Sequence, residues 1–326
     1  MKIVDMHCDT ISCLMGNDKD LKDGDFMLNI DKMQRNDYLL QAFAMFVNLA
    51  SEQQDFNPYL YCNQMIDKFY QQIQLNKEKI AVVLNYQDIE NNIKNNMMSA
   101  LLTIEEGGVC QGDINKLEYF YNRGVRLMTL TWNYRNELAC PNIDLLKLKH
   151  GQKPTCNVNE GLSEVGIRFV QRMNQLGMVI DLSHSSDKTF YDVIKYSTKP
   201  IVCSHSNSRA ICDFPRNVTD DMLLKLKDNG GVIGINYCHD FTVSHNYLAK
   251  IDDLIDHIDH IKDVIGIDYI GLGSDFDGID NDNIEMKDAD CVGLMVKRLA
   301  ERGYSHQEID KITHLNFLRV LSENIG

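Results

Sequence analysis

Short aliphatic or β-branched runs alternate along the chain with longer segments of helical periodicity, the pattern of parallel strands joined by helices. The runs predict eight strands, near Ile3–Met6, Ala42–Asn48, Ala100–Glu105, Val125–Leu130, Met178–Leu182, Ile201–Cys203, Val232–Ile235 and Tyr269–Leu272, with an extra short run at Ala81–Leu84. Helical patterns fall between them at Pro58–Leu75, Ile114–Asn122, Leu162–Leu176 and Lys188–Tyr196. Two further helix starts are marked by capping residues. Thr219 precedes a helix over about Asp220–Asp228 that stops at Asn229-Gly230-Gly231, and Ser305 with Glu308 forms a capping box for the last helix. The stretch from Asn136 to Asn159, with Pro141, Gly151 and Pro154, reads as a long loop after the fourth strand and a candidate lid. No fixed-period repeat or low-complexity segment interrupts this order, so residues 1–326 are expected to form one (β/α)8 TIM barrel domain.

Composition narrows the partners. The chain has 326 residues, 44% of them hydrophobic, enough for a large core. Its 33 basic against 47 acidic side chains leave a net charge of -14, which opposes nucleic-acid binding and favours a soluble protein with small partners. Ten cysteines occur without Cys-x-x-Cys spacing, which argues against a zinc knuckle or dithiol motif and suits reduced thiols in a cytoplasmic protein. Near the start, Lys2 is followed by two apolar residues and then Asp5, which is not the apolar core of a signal peptide. The longest apolar-rich run, Leu39 to Ala50, is broken by Gln41 and Asn48 and is shorter than the ~20 residues of a membrane span, so no membrane anchor is expected.

Chemistry enters where the strands end. In the first strand, alternation would place Asp5, His7 and Asp9 on one face, with Met6 and Cys8 on the other. His7 and Asp9 can then share one divalent cation, with Asp5 behind them. A lone His-x-Asp is more often a polar strand end. Here, however, Glu106 closes the third strand, His184 the fifth, His205 the sixth and Asp275 the eighth. In a (β/α)8 barrel all of those ends meet at the mouth that carries the chemistry, so their joint placement predicts a metal site.

Those segments carry a resemblance. Asp5-Met6-His7-Cys8-Asp9, Ile104-Glu105-Glu106-Gly107-Gly108, Asp181-Leu182-Ser183-His184, Cys203-Ser204-His205-Ser206, Arg216-Asn217-Val218, His257-Ile258-Asp259-His260-Ile261 and Gly271-Leu272-Gly273-Ser274-Asp275-Phe276-Asp277-Gly278 resemble the membrane dipeptidase (renal dipeptidase) family, a branch of the amidohydrolase-like barrels. The likeness spans nearly the whole chain. It implies a metal-dependent hydrolase with two zinc ions, one on His7 and Asp9, the other on His184 and His205, with Glu106 as bridge because it directly precedes the Gly-Gly pair. Asp275 resembles the catalytic carboxylate and Arg216 the residue that holds the substrate carboxylate. The implied reaction is hydrolysis of dipeptides, with tolerance of a C-terminal D-residue, by a metal-bridging hydroxide whose proton Asp275 carries to the leaving amine. Mn2+ or Co2+ would suit the same ligands. A homodimer is compatible with the chain.

Two other functions fit the residues less well. An amidohydrolase acting on a cyclic amide or lactone is disfavoured because many such relatives begin with His-x-His and use a lysine-derived bridge, whereas this chain reads His7-Cys8-Asp9. A non-catalytic metal-binding relative would be expected to have lost Asp275 or a ligand. One departure from the family stands out: where its best-known members have a histidine after Leu-Thr of the fourth strand, this chain has Leu130-Thr131-Trp132-Asn133. Trp132 or Asn133 is therefore expected to line the substrate pocket or to supply the missing hydrogen bond to the reacting oxygen.

Overall fold

The computed structural model describes residues 1–51, 55–149, 151–244 and 247–326. Nine parallel strands are present: β1 (Ile3–Cys8), β2 (Tyr38–Phe46), β3 (Ile80–Val82), β4 (Met98–Glu105), β5 (Leu127–Thr129), β6 (Val179–Asp181), β7 (Val202–Cys203), β8 (Val232–Ile235) and β9 (Ile270–Leu272). Eight of them close a barrel in the order β1-β2-β4-β5-β6-β7-β8-β9, with β9 returning to β1 through Asp5 opposite Leu272. The ninth, β3, is the extra short run. It pairs with Met98 to Ala100 of β4, while β5 takes up Thr103 to Glu105. Since β2 runs along the other edge of β4, β3 covers the stretch of edge that β5 is too short to reach.

Two apolar layers follow from the strand period. Val4, Met6, Leu40, Ala42, Leu101, Leu127, Val179, Val202 and Val232 pack in one cluster with Phe317, Leu318, Val320 and Leu321 of the last helix, Asn316–Ile325. That helix plugs the bottom of the barrel. Residues of opposite parity, among them Leu102, Ile104, Met128, Ile180, Ile233 and Leu272, face the surrounding helices. Barrel strands buried on both sides read as continuous apolar runs, which is why they were visible in the sequence.

The helices Pro58–Leu75 and Ile114–Asn122 lie where their patterns place them. Glu164–Leu176 begins two residues later than its apolar pattern, because the Ser163 side chain accepts from Gly166 N and sets the start. Thr219 caps Asp220–Asn229, and Gly230 ends it at φ +78°. The Ser305/Glu308 capping box opens the final helical stretch. Among the described residues, six helices were not anticipated: Thr10–Leu14, Ile30–Arg35, Tyr86–Lys94, His239–Thr242, Ile251–Ile265 and Val292–Glu301. After β5 the chain runs without helix or strand to Ser163, apart from an isolated bridge between Pro141 and Ser185; His150, within that loop, lies outside the described residues.

One local feature overrides strict alternation. Between Asp5 and Cys8, β1 advances three residues while its partner β2 advances two, from Gln41 to Phe43. The additional residue is a β-bulge. Met6 points into the inner cluster and Cys8 into the outer one, the reverse of a shared face, and His7 turns inward beside Met6. Asp5 does not join His7 and Asp9 on one face; its carboxylate accepts from His7 N at 3.1 Å and from Ser274 N at 3.0 Å.

Candidate metal centre

Six side chains converge at the C-terminal mouth. His7 Nε2 lies 3.3 Å from Asp9 Oδ2, 3.3 Å from Glu105 Oε2 and 3.7 Å from Asp275 Oδ1. On the other side, His184 Nε2 lies 2.9 Å and His205 Nε2 3.4 Å from Glu105 Oε1, and the two Nε2 atoms are 3.1 Å apart. Glu105 thus turns one oxygen to each half of the cluster. All six residues are buried, and Asp9 Oδ1 has no hydrogen-bond partner.

This donor set fits divalent cations. Two imidazole nitrogens directed at one point and at one carboxylate oxygen cannot all be satisfied by each other, but they can by a shared positive ion. Electrostatics agree. Burial, reinforced by Arg216 for His184 and by His7 for His205, holds both imidazoles well below their ordinary pKa, in the neutral form that ligates. Burial would also lower His7, but the carboxylates of Glu105 and Asp9 override it and hold His7 well above. Burial pushes Glu105 up to about 7 and Asp275 up to about 6, against the opposing pull of His7. Three carboxylates around one imidazole are short of positive charge.

Glu105, and not Glu106, turns its carboxylate into the cluster between its two halves. In β4, Leu101 faces the barrel interior, and two further steps of the unbroken ladder bring Thr103 and then Glu105 to the same side. Glu106 falls on the other side, at φ +109°, with its carboxylate wholly buried away from the cluster. It accepts from Gly108 N at 2.6 Å, from Trp132 N at 2.9 Å and from the Asn136 side-chain amide. Glu106 therefore clasps the end of β4 to the loop after β5. The signal that separates the placement of the two glutamates was in the sequence, in the period-2 parity of β4, whereas the adjacent Gly-Gly pair singled out the one that faces away from the cluster.

Other expected site residues divide. Trp132 and Asn133 line a cleft of about 490 Å³ above the cluster, together with Phe46, Cys238, Phe241 and Ile279. The Trp132 ring packs 4.8 Å from Phe46 and 5.4 Å from Tyr134, centre to centre, while its backbone N–H is taken by Glu106. Asn133 Oδ1 sits 2.9 Å from His184 Nδ1. Arg216 is 3% exposed and does not line the cleft; it lies behind Phe241, its guanidinium 5.2 Å from that ring, donating to His205 O at 3.2 Å, with Nε unpartnered. His257 is remote from the chemistry: its ring bonds Ser208 N and Thr242 O and so ties two segments together.

Residues absent from the sequence-derived site also matter. Asn236 Nδ2 donates to Asp275 Oδ2 at 2.9 Å and so leaves Oδ1 turned toward His7. Gly278 makes room for two carboxylates: a Cβ there would lie 2.2 Å from Asp9 Oδ2 and 2.7 Å from Asp275 Oδ1. His184, Asp275 and Asp277 adopt φ of +69°, +63° and +67°, so left-handed backbone clusters at this mouth together with Glu106. Such strain persists where surrounding contacts over-determine it.

A closed (β/α)8 barrel with buried histidines and carboxylates at its C-terminal mouth is the layout of a metal-dependent hydrolase. The chain belongs to the membrane dipeptidase family (peptidase family M19), whose model matches residues 1–325. It is 32% identical over 267 residues to an uncharacterised protein of the pqqA 5′ region of Klebsiella pneumoniae, covering 78% of this chain and 96% of that one. Human Dipeptidase 3 is 30% identical over 295 residues, covering 90% of this chain, which spans 58% of the human protein. Among solved structures, a metallopeptidase from Rhodobacter sphaeroides liganded with a phosphinate mimic of the dipeptide L-Ala-D-Ala superposes with a TM-score of 0.88, at 23% identity, over 99% of both chains. No helix among the described residues is long and apolar enough to cross a membrane.

Proposed function

We propose that this protein hydrolyses dipeptides and uses two divalent ions, zinc foremost, with His7, Asp9 and Glu105 as ligands of one and Glu105, His184 and His205 of the other. The observation that carries this reading is the divided carboxylate of Glu105, one oxygen facing His7 and the other facing His184 and His205. Bound there, such ions would polarise a peptide carbonyl and lower the pKa of the attacking water. The chain's own groups supply the rest. Asp275, held by Asn236 and raised toward neutrality by burial, takes a proton from that water and returns it to the departing amine. Trp132 walls the cleft. Its backbone N–H is committed to Glu106, so it offers no main-chain donor to the reacting oxygen. Arg216, with its free Nε beside the His205 segment, receives the substrate carboxylate after a local rearrangement of Phe241. The solved metallopeptidase liganded with a mimic of L-Ala-D-Ala supports acceptance of a C-terminal D-residue, and ten free thiols suit a reducing, cytoplasmic setting.

The test is to strip the full chain with a chelator, restore zinc stepwise, and measure ions per chain alongside hydrolysis of a panel of L,L- and L,D-dipeptides. Two ions per chain are expected, with turnover returning as the second binds. A stoichiometry of one or less, or full turnover by the stripped protein, would overturn the assignment.

A further inference from the structure

Beneath His205 lies a buried chain of hydrogen bonds whose direction follows from counting protons. Asp181, at the end of β6, accepts four: Ser183 N at 3.0 Å and Ser204 N at 2.8 Å on Oδ1, Thr129 Oγ1 at 2.6 Å and Ser204 Oγ at 2.6 Å on Oδ2. A serine hydroxyl has one proton. Since Ser204 gives its proton to Asp181, its oxygen can only accept from the neighbouring His205 Nδ1, 2.8 Å away. His205 therefore carries its proton on Nδ1. Asn133 Oδ1 imposes the same state on His184 by accepting from its Nδ1. With both protons on the far side, both Nε2 lone pairs face each other across 3.1 Å and face Glu105 Oε1.

We infer that Asp181 acts through Ser204 as a positioning residue that fixes the tautomer of His205, so that the second half of the metal centre stands preformed before any ion arrives. This rests on the reading of His205 as a ligand. All three members of the relay are fully buried, so water cannot substitute for a missing partner.

The inference yields an asymmetric outcome that a merely structural role would not. In Asp181→Asn, the amide keeps its oxygen for the two backbone N–H groups and presents NH2 to Ser204. The hydroxyl must then accept from the amide and donate to His205 Nδ1, moving the histidine's proton to Nε2, where no ion can bind. An Asp→Asn change beneath the catalytic histidine of serine proteases selects the wrong tautomer in the same way. Ser204→Ala removes the bridge without reversing it.

The experiment uses the full chain stripped of metal, with long-range proton–nitrogen NMR of the imidazoles, the His205 signal identified by its loss in His205→Gln, and zinc affinity measured by chelator competition. The wild type should show Nδ1–H at His205, and Asp181→Asn should show Nε2–H. Zinc affinity should fall about 10–100-fold in Ser204→Ala, the range for outer-shell ligand partners, and further in Asp181→Asn. Retention of Nδ1–H in a folded Asp181→Asn, or a loss in Ser204→Ala equal to or larger than its own, would overturn the inference. If Asp181→Asn fails to fold, Ser204→Ala decides: mixed tautomers with weakened zinc support the relay, and an unchanged tautomer and affinity refute it. A wild type with Nδ1–H at His205 that binds no zinc would sink the proposed function while leaving the relay intact.

Discussion

Exchanging each of the two adjacent glutamates for glutamine should separate chemistry from architecture. The Glu106 carboxylate accepts from Gly108 N, Trp132 N and the Asn136 amide in a fully buried position. A glutamine there can keep its oxygen on Gly108 and Asn136, but its NH2 then meets the Trp132 N–H, donor against donor. One charge-assisted bond worth roughly 1.5–3 kcal/mol is lost, and a buried donor left unmet costs about 1–3 kcal/mol, so Glu106→Gln should be destabilised by about 3–5 kcal/mol. It should still bind two ions when folded. Glu105→Gln should do the reverse. Its amide places hydrogens where His7 or His184 and His205 aim their nitrogens, so metal binding falls and with it an ion whose Lewis acidity is worth several kcal/mol, or roughly 10³-fold in turnover. The metal-free fold should suffer little, because the Glu105 carboxylate faces imidazole nitrogens and, unlike Glu106, clasps no backbone N–H. Thermal unfolding of stripped protein, ions per chain and dipeptide turnover measure all three effects. Two ions retained in Glu105→Gln, or a lost ion with unaltered melting in Glu106→Gln, would return the bridge to Glu106.

Three further outcomes are expected. Arg216→Ala should lower kcat/KM on free dipeptides by about 10–150-fold, the equivalent of a charge-assisted contact of roughly 1.5–3 kcal/mol, and leave the poorer hydrolysis of dipeptide amides unchanged; equal losses on both substrates would show a packing role against Phe241. Trp132→Phe should keep turnover within a few-fold, since the ring acts as a wall between Phe46 and Tyr134, and a 10²-fold loss in kcat would instead mark the indole N–H as an oxyanion donor. Gly278→Ala should retain the fold yet weaken metal binding, because its Cβ would displace Asp9 and Asp275; a variant that binds both ions like the wild type would disprove that crowding.

Most of the barrel was legible from the pattern of apolar positions, and the residues that were misread share one physical cause. All eight barrel strands and the extra run lie within a few residues of their apolar patterns, because strands buried on both faces leave continuous signals. Capped helices were equally clear. Ile251–Ile265 was not predicted even though Ile251, Leu254, Ile255, Ile258, Ile261 and Ile265 mark a helical face, since no side-chain cap hydrogen bond marks its start at Lys250. At the mouth, the reading of His7, Asp9, His184, His205 and Asp275 as one cluster agrees with the geometry. The bulge in β1 and the choice between Glu105 and Glu106 do not follow from residue type, because both depend on which side of a strand a residue leaves. Alternation failed where a bulge intervened and would have succeeded in β4, where none does. No role was assigned to Asp181, Ser204 or Asn236, because their part lies in hydrogen-bond direction, which no spacing records.

The clasping side chains also explain how so short a ladder holds so crowded a site. β5, β6 and β9 have three residues each and β7 has two, so the backbone pairing ends just where the clustered side chains begin. At that level, buried polar side chains take over. Asp5 joins His7 N to Ser274 N after β9; Asp181 joins Ser183 N to Ser204 N after β7; Glu106 joins Gly108 N to Trp132 N after β5. Each binds an amide two residues ahead in its own strand and one in the neighbouring strand. The ladder needs identical backbone geometry on both sides, whereas a carboxylate can bridge chains that have already bent away. That freedom permits the bulge at His7 and the left-handed residues His184 and Asp275, which aim ligands into the mouth instead of along the strands. Rigid clasps beneath strained residues hold carboxylates and imidazole nitrogens close together, and a divalent ion at the proposed site would relieve their repulsion.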